Sequence, residues 1–251
     1  MWGQSMPVIS FANAKGGAGK TTAALLLATE LAERGNRVSI VDADPQRWIT
    51  QWAEMPSECD GSRRDTKKDI AIIDQVTAAS VASVLREELD HRDYVIVDLE
   101  GVVSPLVTNA ISASDMVLVP VQGCAMDAKG GGKILDLIAN LQREERRSIR
   151  HAVILTRISA AVTTRALRAV REHLLANKID VLTSSIVERI AYRDIFDTGG
   201  TLRDLDRRTV RNLDKALENV GQLASEIIMR MPAVQRHDSE NKSRQPWSRA
   251  A

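Results

Sequence analysis

Between a short apolar run, Val8–Ala12, and an Ala/Leu-rich stretch that begins at Lys20 lie the residues NAKGGAGKTT, Asn13 to Thr22. No other segment constrains the chain as tightly. Glycines at 16, 17 and 19 let the backbone curl so that successive N–H groups point into one concavity, and a helix starting at Lys20 adds the positive end of its dipole. Strand, glycine-rich turn and helix in that order form a cradle for a phosphate chain. Within it, Lys20 is placed to neutralise β- and γ-phosphates and Thr21 to offer a hydroxyl to Mg2+. Gly16, Gly17, Ala18, Gly19 and Thr22 complete the nucleotide-binding set. The ordinary spacing G-x-x-x-x-G-K-[ST] calls for glycine where this chain has Ala14, and Lys15 follows instead.

The remaining chain alternates strand and helix. Arg37–Asp42, Ile70–Ile73, Tyr94–Asp98, Met116–Val121, His151–Leu155 and Val181–Ile186 read as strands. Lys20–Arg34, Gln46–Met55, Ala78–Leu89, Val107–Ala113, a stretch within Asp127–Arg143, Thr164–Ala176 and most of Arg203–Met229 read as helices, with Gly35 at the C′ position of the first. The strands are near-continuous Val/Ile/Leu runs, the mark of burial on both faces. The pattern predicts an α/β fold: a single doubly wound, mainly parallel sheet with helices on both faces, a long C-terminal helix and a disordered tail. At 251 residues and 44% hydrophobic content, the chain is long enough for one large domain and short for two. The expected organisation is a flexible lead over 1–6, one domain over 7–231 and a polar tail over 232–251, with Met1 and Met6 both candidate starts. No apolar run of membrane-spanning length and no signal-peptide pattern appear. Cys59 and Cys124 stand far apart, which argues against a disulfide framework or zinc ribbon and for a reducing, cytoplasmic compartment.

Two carboxylate sites follow strands, at the sheet edge where ligands of such folds bind. Asp42-Ala43-Asp44-Pro45-Gln46 closes the RVSIVD strand, and Asp98-Leu99-Glu100-Gly101 closes YVIVD. Carboxylates there can hold Mg2+ through water and orient an attacking water. Asp42 and Asp98 are expected at the metal. Asp44 also fits a helix cap ahead of Pro45, although two aspartates flanking one alanine exceed what a cap needs.

With K-G-G-A-G-K-T in register and D-A-D-P-Q behind it, the chain resembles the ParA/MinD branch of P-loop ATPases, whose loop is the deviant Walker A form. The resemblance runs from about Pro7 to Met231 and is most specific in the first hundred residues. It implies ATP and Mg2+ as cofactors and catalytic roles for Lys15, Lys20 and Asp44. Lys15 would reach across an ATP-sandwich homodimer to the partner's nucleotide, and Asp44, in switch I, would prepare the hydrolytic water. Asp98 becomes the Walker B carboxylate, and Gly101 offers its N–H to the γ-phosphate as part of switch II. Leu99-Glu100 departs from the small or proline residues usual there. The resemblance further places Thr156 and Arg157 beside adenine and Ser185–Asp194 on a second adenine-side loop. It implies plasmid or chromosome partition, with nonspecific double-stranded DNA and a ParB-like centromere-binding protein as partners and a nucleoid-associated location. Alternatives on the same fold are a DNA-transfer accessory or cargo-positioning ATPase, a phosphotransferase or amide-forming ligase, and a transcriptional repressor.

The second half carries charge rather than motif. Arginine supplies 25 of 34 cations, yet net charge is only +1. Arg143–Arg171 is locally basic; Arg203, Arg207, Arg208, Arg211 and Lys215 fall mostly at helical spacing, so several would share a face suited to phosphates without base reading. Asp204, Asp206 and Asp214 in the same stretch fit a solvated, salt-bridged face equally. Without a basic amphipathic helix in the tail, membrane binding is not expected. Trp48 and Trp52 at i, i+4 read as packing or as a partner-facing stripe. Gly130-Gly131-Gly132 reads as a flexible lead into a helix.

Overall fold

Each strand alternates between two apolar environments, as a parallel sheet covered on both faces requires. The computed structural model describes residues 7–56, 65–123, 125–159 and 163–231. In β1 (Val8–Phe11), Val8 faces one core while Ile9 and Phe11 face the other. In β4 (Tyr94–Leu99), Val95, Val97 and Leu99 join the first, and Tyr94 and Ile96 the second. With β2 (Val38–Ala43), β3 (Ile70–Ile73), β5 (Met116–Gln122) and β6 (Arg150–Thr156) they form a six-stranded sheet, every pair parallel, in the order β3-β2-β4-β1-β5-β6. The chain runs outward from β1 to β2 and β3, returns to β4, then crosses β1 to β5 and β6. That reversal opens a crevice beyond the C-terminal ends of β1, β4 and β5.

One face carries α1 (Lys20–Glu33), α2 (Trp48–Glu54), α7 (Ala191–Thr198) and α8 (Leu213–Arg230). The other carries α3 (Val81–Leu89), α4 (Pro105–Ser112), α5 (Ala125–Glu145) and α6 (Arg165–Ala176). Helix α1 is apolar nearly all round because it lies between the sheet and α8, and Leu25, Leu26 and Leu27 are all fully buried. It ends as its sequence predicts: Gly35 takes φ +83°, in the left-handed region that glycine tolerates, and its N–H bonds to the Ala32 carbonyl.

The C-terminal third departs from the sequence-based expectation. Helix α8 begins at Leu213, so Arg203, Arg207, Arg208 and Arg211 lie in the turns before it and only Lys215 rides on it. Aspartates break the helical reading by capping turns: Asp204 Oδ2 accepts from Thr201 N and Oγ1 at 2.7 and 2.8 Å, and Asp206 Oδ1 accepts from Arg208 N at 2.8 Å. Val181–Ile186 is no strand: Val181 makes an isolated bridge to Val153, and the chain bends at Thr183 and Ser184. Helix α7 occupies part of the stretch expected to be a loop. The glycine triplet lies inside α5 rather than ahead of it. The two tryptophans diverge: Trp52 is buried, its indole N–H donating to the Gly200 carbonyl at 2.9 Å, whereas Trp48 is 53% exposed. The lead over 1–6, the tail over 232–251 and both cysteines lie outside the described residues.

Candidate nucleotide site

The glycine loop leaves β1 and curls over the crevice into α1. Gly17 and Gly19 adopt φ +79° and +93°, which a side chain would strain. Lys20, first residue of α1, is buried, while Gly16 and Gly17 are exposed. Neighbouring elements hold the loop from several sides. Gln122, at the end of β5, donates its side-chain N–H to the Gly17 carbonyl. Thr156, at the end of β6, donates its hydroxyl to the Ala18 carbonyl at 2.8 Å. Gly101 rests directly against the loop: a Cβ there would sit 3.0 Å from Gly16 N and 3.2 Å from the Lys15 carbonyl carbon.

Asp42 and Asp98 are register partners on adjacent strands, both buried. Thr50 N and Oγ1 donate to Asp42 Oδ2, each at 2.8 Å. Asp42 Oδ1 and both Asp98 oxygens are buried without a hydrogen-bond partner. Burial pushes the Asp98 carboxyl up to about 7; the nearby Asp42 and Asp44 charges add to this, and the Thr21 hydroxyl and Lys20 ammonium oppose it without closing a hydrogen bond of ordinary geometry. Orphaned carboxylate oxygens beside a hydroxyl fit a hydrated divalent cation, which would occupy the lone pairs and relieve the buried charge. Among the described residues no group of three or more His, Cys, Asp or Glu forms an all-protein metal site.

Asp44 stands partly exposed at the crevice rim, its Oδ1 accepting from Gln46 N at 2.9 Å. It shapes the turn without capping α2, whose N-cap is Arg47; Arg47 is ion-paired to Asp74 beyond β3. Glu100 accepts from the Ser104 hydroxyl, and Ser104 in turn caps α4. Val102 and Val103, following Gly101, are about half exposed. Arg157 leaves β6 in a left-handed conformation, φ +51°, and with Thr22, Glu188, Arg189 and Tyr192 it lines a cleft next to Gly19. Thr156 reaches the same cleft, but its hydroxyl is committed to the loop.

The structure thus brings Lys15 through Thr22, Asp42, Asp44, Asp98, Gly101, Thr156 and Arg157 to one sheet edge. The basic residues near α8 do not form one helical face. Arg203 pairs with Glu30 and Glu33, and Arg207 with Asp214. Arg208, Arg211 and Lys215 are exposed. Sequence reasoning missed Thr50 and Gln122 as supports. Gln122 had one signal, its position directly after a buried strand at the ligand edge.

This sheet order, with its first strand turning through the loop into a buried lysine, defines a ParA/MinD-like P-loop ATPase. The chain belongs to the VirC1 protein family, whose model matches residues 6–233. It is 35% identical to Protein ParA of Rhizobium radiobacter over 226 residues, covering 90% of this chain and 98% of that one. It is 30% identical to Protein virC1 of the same organism over 234 residues, covering 89% and 99%. In structure it is similar to an ATP complex of a McdA variant from Cyanothece: TM-score 0.69, 18% identity, 89% of this chain and 97% of that one. Among the described residues no helix is long and apolar enough to cross a membrane.

Proposed function

We propose that this chain is an ATP-hydrolysing partition ATPase that dimerises around ATP, binds double-stranded DNA without sequence preference in that state, and is released when a ParB-like centromere-binding partner stimulates hydrolysis. The observation that carries the reading is the loop itself. A buried Lys20 supplies the fixed cation for the phosphates, and Lys15, partly exposed, stands immediately before the cradle. Phosphoryl transfer asks chiefly for positioning and charge stabilisation, so a second lysine delivered by the partner makes turnover depend on dimerisation. When bound, Mg2+ would supply positive charge against the charge that develops on the phosphates. Thr21, Asp42 and Asp98 would hold it, Asp44 would orient water, and Gly101 would meet the γ-phosphate. Trp48, Val102 and Val103 are exposed apolar residues following the two switch segments, and they support a partner docking over this edge.

For DNA, the exposed Arg208, Arg211 and Lys215 remain the first candidates, and Arg165, Arg168 and Arg171 on the outer side of α6 are the rival surface. A cargo-positioning or DNA-transfer role with the same ATP cycle is the second reading; the cargo-positioning form is favoured by 26% identity over 222 residues to the Maintenance of carboxysome distribution protein A of Halothiobacillus neapolitanus. The test measures turnover and oligomeric state in ATP and ADP, with and without DNA. ATP-dependent dimers whose turnover needs Lys15 and Lys20 are expected. A monomer in ATP that hydrolyses at the same rate without Lys15 would overturn the reading. Salt-titrated DNA binding of Arg211→Glu and Arg168→Glu then assigns the surface. Each lost phosphate contact lowers the slope of log K against log salt by about 0.9.

A further inference from the structure

The glycine triplet 130–132 has one composition and three environments. A Cβ at Gly132 would meet nothing within 4 Å. One at Gly131 would lie 2.9 Å from Val121 Cγ2, on the sheet. One at Gly130 would lie 2.4 Å from Asn13 Oδ1 and 2.9 Å from Lys15 Cβ. Glycine disfavours helix, so three in succession within α5 oppose the element they sit in. At 130 the gain is close approach: the Gly130 carbonyl accepts from Ala14 N at 3.3 Å, joining α5 to the segment that carries Lys15.

We propose that Gly130 is a positioning residue for Lys15, setting where this lysine stands by letting α5 close onto residues 13–15. The proposal rests on the reading of Lys15 as the cation delivered across the dimer. Neither neighbour can yield cheaply. Asn13 is fully buried, and its Nδ2 donates to the Pro120 carbonyl at 2.6 Å, so the side chain cannot swing aside without losing that bond. Cβ is the root of the lysine side chain and moves only with the backbone. An alanine at 130 therefore shifts Asn13–Lys15 or lifts α5. The contacts stop at residue 15, short of the cradle from Gly16 to Thr22. The effect should fall on turnover and not on nucleotide binding.

The experiment compares turnover and nucleotide Kd for wild type, Gly130→Ala, Gly132→Ala, Lys15→Ala and the double variant Lys15→Ala/Gly130→Ala. Gly130→Ala is expected to lose on the order of 10²-fold in kcat, the scale of a 1 Å misplacement. Its nucleotide Kd should stay within about twofold, the split expected of an interaction made only in the transition state. Gly132→Ala should turn over as wild type does. The double variant should be no slower than Lys15→Ala alone, since a residue that acts through Lys15 has nothing left to position. Should Gly130→Ala not fold, Asn13→Ala/Gly130→Ala removes the tighter clash, keeps that with Lys15 and carries the same expectation. Wild-type turnover in the alanine variant, or losses that multiply in the double variant, would overturn the inference alone. Absence of turnover in the wild type itself would overturn the functional reading and this inference with it.

Discussion

Replacing Thr156 by valine keeps the side chain's shape and removes one hydrogen bond, that from its hydroxyl to the Ala18 carbonyl at 2.8 Å. Both residues are buried, so water cannot substitute. A neutral hydrogen bond contributes about 1 kcal/mol net, and an acceptor left buried without its donor raises the cost to about 1–3 kcal/mol. Where the cost appears depends on the free loop. If the loop keeps its shape without nucleotide, the fold bears the loss, and the melting temperature falls by about 2–4 °C per kcal/mol for a domain of this size. If the free loop relaxes, binding bears it, and affinity falls by about 5- to 150-fold. In either case ATP and GTP analogues should lose equally, because the hydroxyl holds the loop and reads no base. Titration calorimetry with non-hydrolysable analogues, alongside thermal melts, measures both quantities. Thr156→Ser, which keeps the hydroxyl but drops the methyl lying against Gly19, should fall between. Unchanged stability and affinity in the valine variant, or a loss confined to adenine nucleotides, would refute the reasoning.

Lys20→Ala should weaken ATP binding by roughly 10- to 150-fold, the worth of hydrogen bonds to a charged group, as read by calorimetry; equal affinity would remove the loop from the mechanism. Asp44→Ala should bind ATP normally and accumulate as a dimer on size-exclusion chromatography in ATP, since only the water-orienting carboxylate is gone; turnover at the wild-type rate would exclude Asp44. Glu226 is pushed up by burial, but N–H donation from Ser184 and Thr183 and the Arg230 guanidinium outweigh this and hold its carboxyl below the ordinary 4.5. A depressed folded value means that its contribution is present above pH 4.5 and is lost as pH falls through the folded value. The melting-temperature gap between wild type and Glu226→Gln should therefore be widest near neutrality and close in acid; a gap independent of pH would sink the assignment.

The first hundred residues were legible because their signals are local. A strand–glycine–helix turn, an aspartate after each of two buried strands, and Gly35 past an apolar helix each follow from spacing of a few residues. The C-terminal third misled for a physical reason. Cations at 203, 207 and 211 keep helical spacing, but Asp204 and Asp206 spend their side chains on backbone N–H groups of Thr201 and Arg208, which stabilises turns against the helix. Charge periodicity does not record that competition. The single bridge between Val153 and Val181 was beyond reach for a similar reason: Val181–Ile186 has the composition of a strand, and only tertiary packing decides whether it finds a full ladder.

The loop illustrates a division of labour along the chain. Its own residues specify the chemistry: two lysines, a threonine and glycines that expose N–H groups. Its geometry is fixed by residues from another stretch, with Gly101 against Lys15–Gly16, Gln122 on Gly17, Gly130 against Asn13 and Lys15, and Thr156 beneath Ala18. All four lie at the C-terminal ends of β4, β5 and β6 or in α5, where a parallel sheet turns its loops toward one edge. Gly101 is marked by its place after Asp98, but Gln122, Gly130 and Thr156 carry no motif for these contacts, since a close approach or a single hydroxyl leaves no pattern in sequence. The motif therefore names the ligand class, while residues from 101 onward brace the loop that carries it. Substitutions far from the loop in sequence should alter turnover as sharply as substitutions within it.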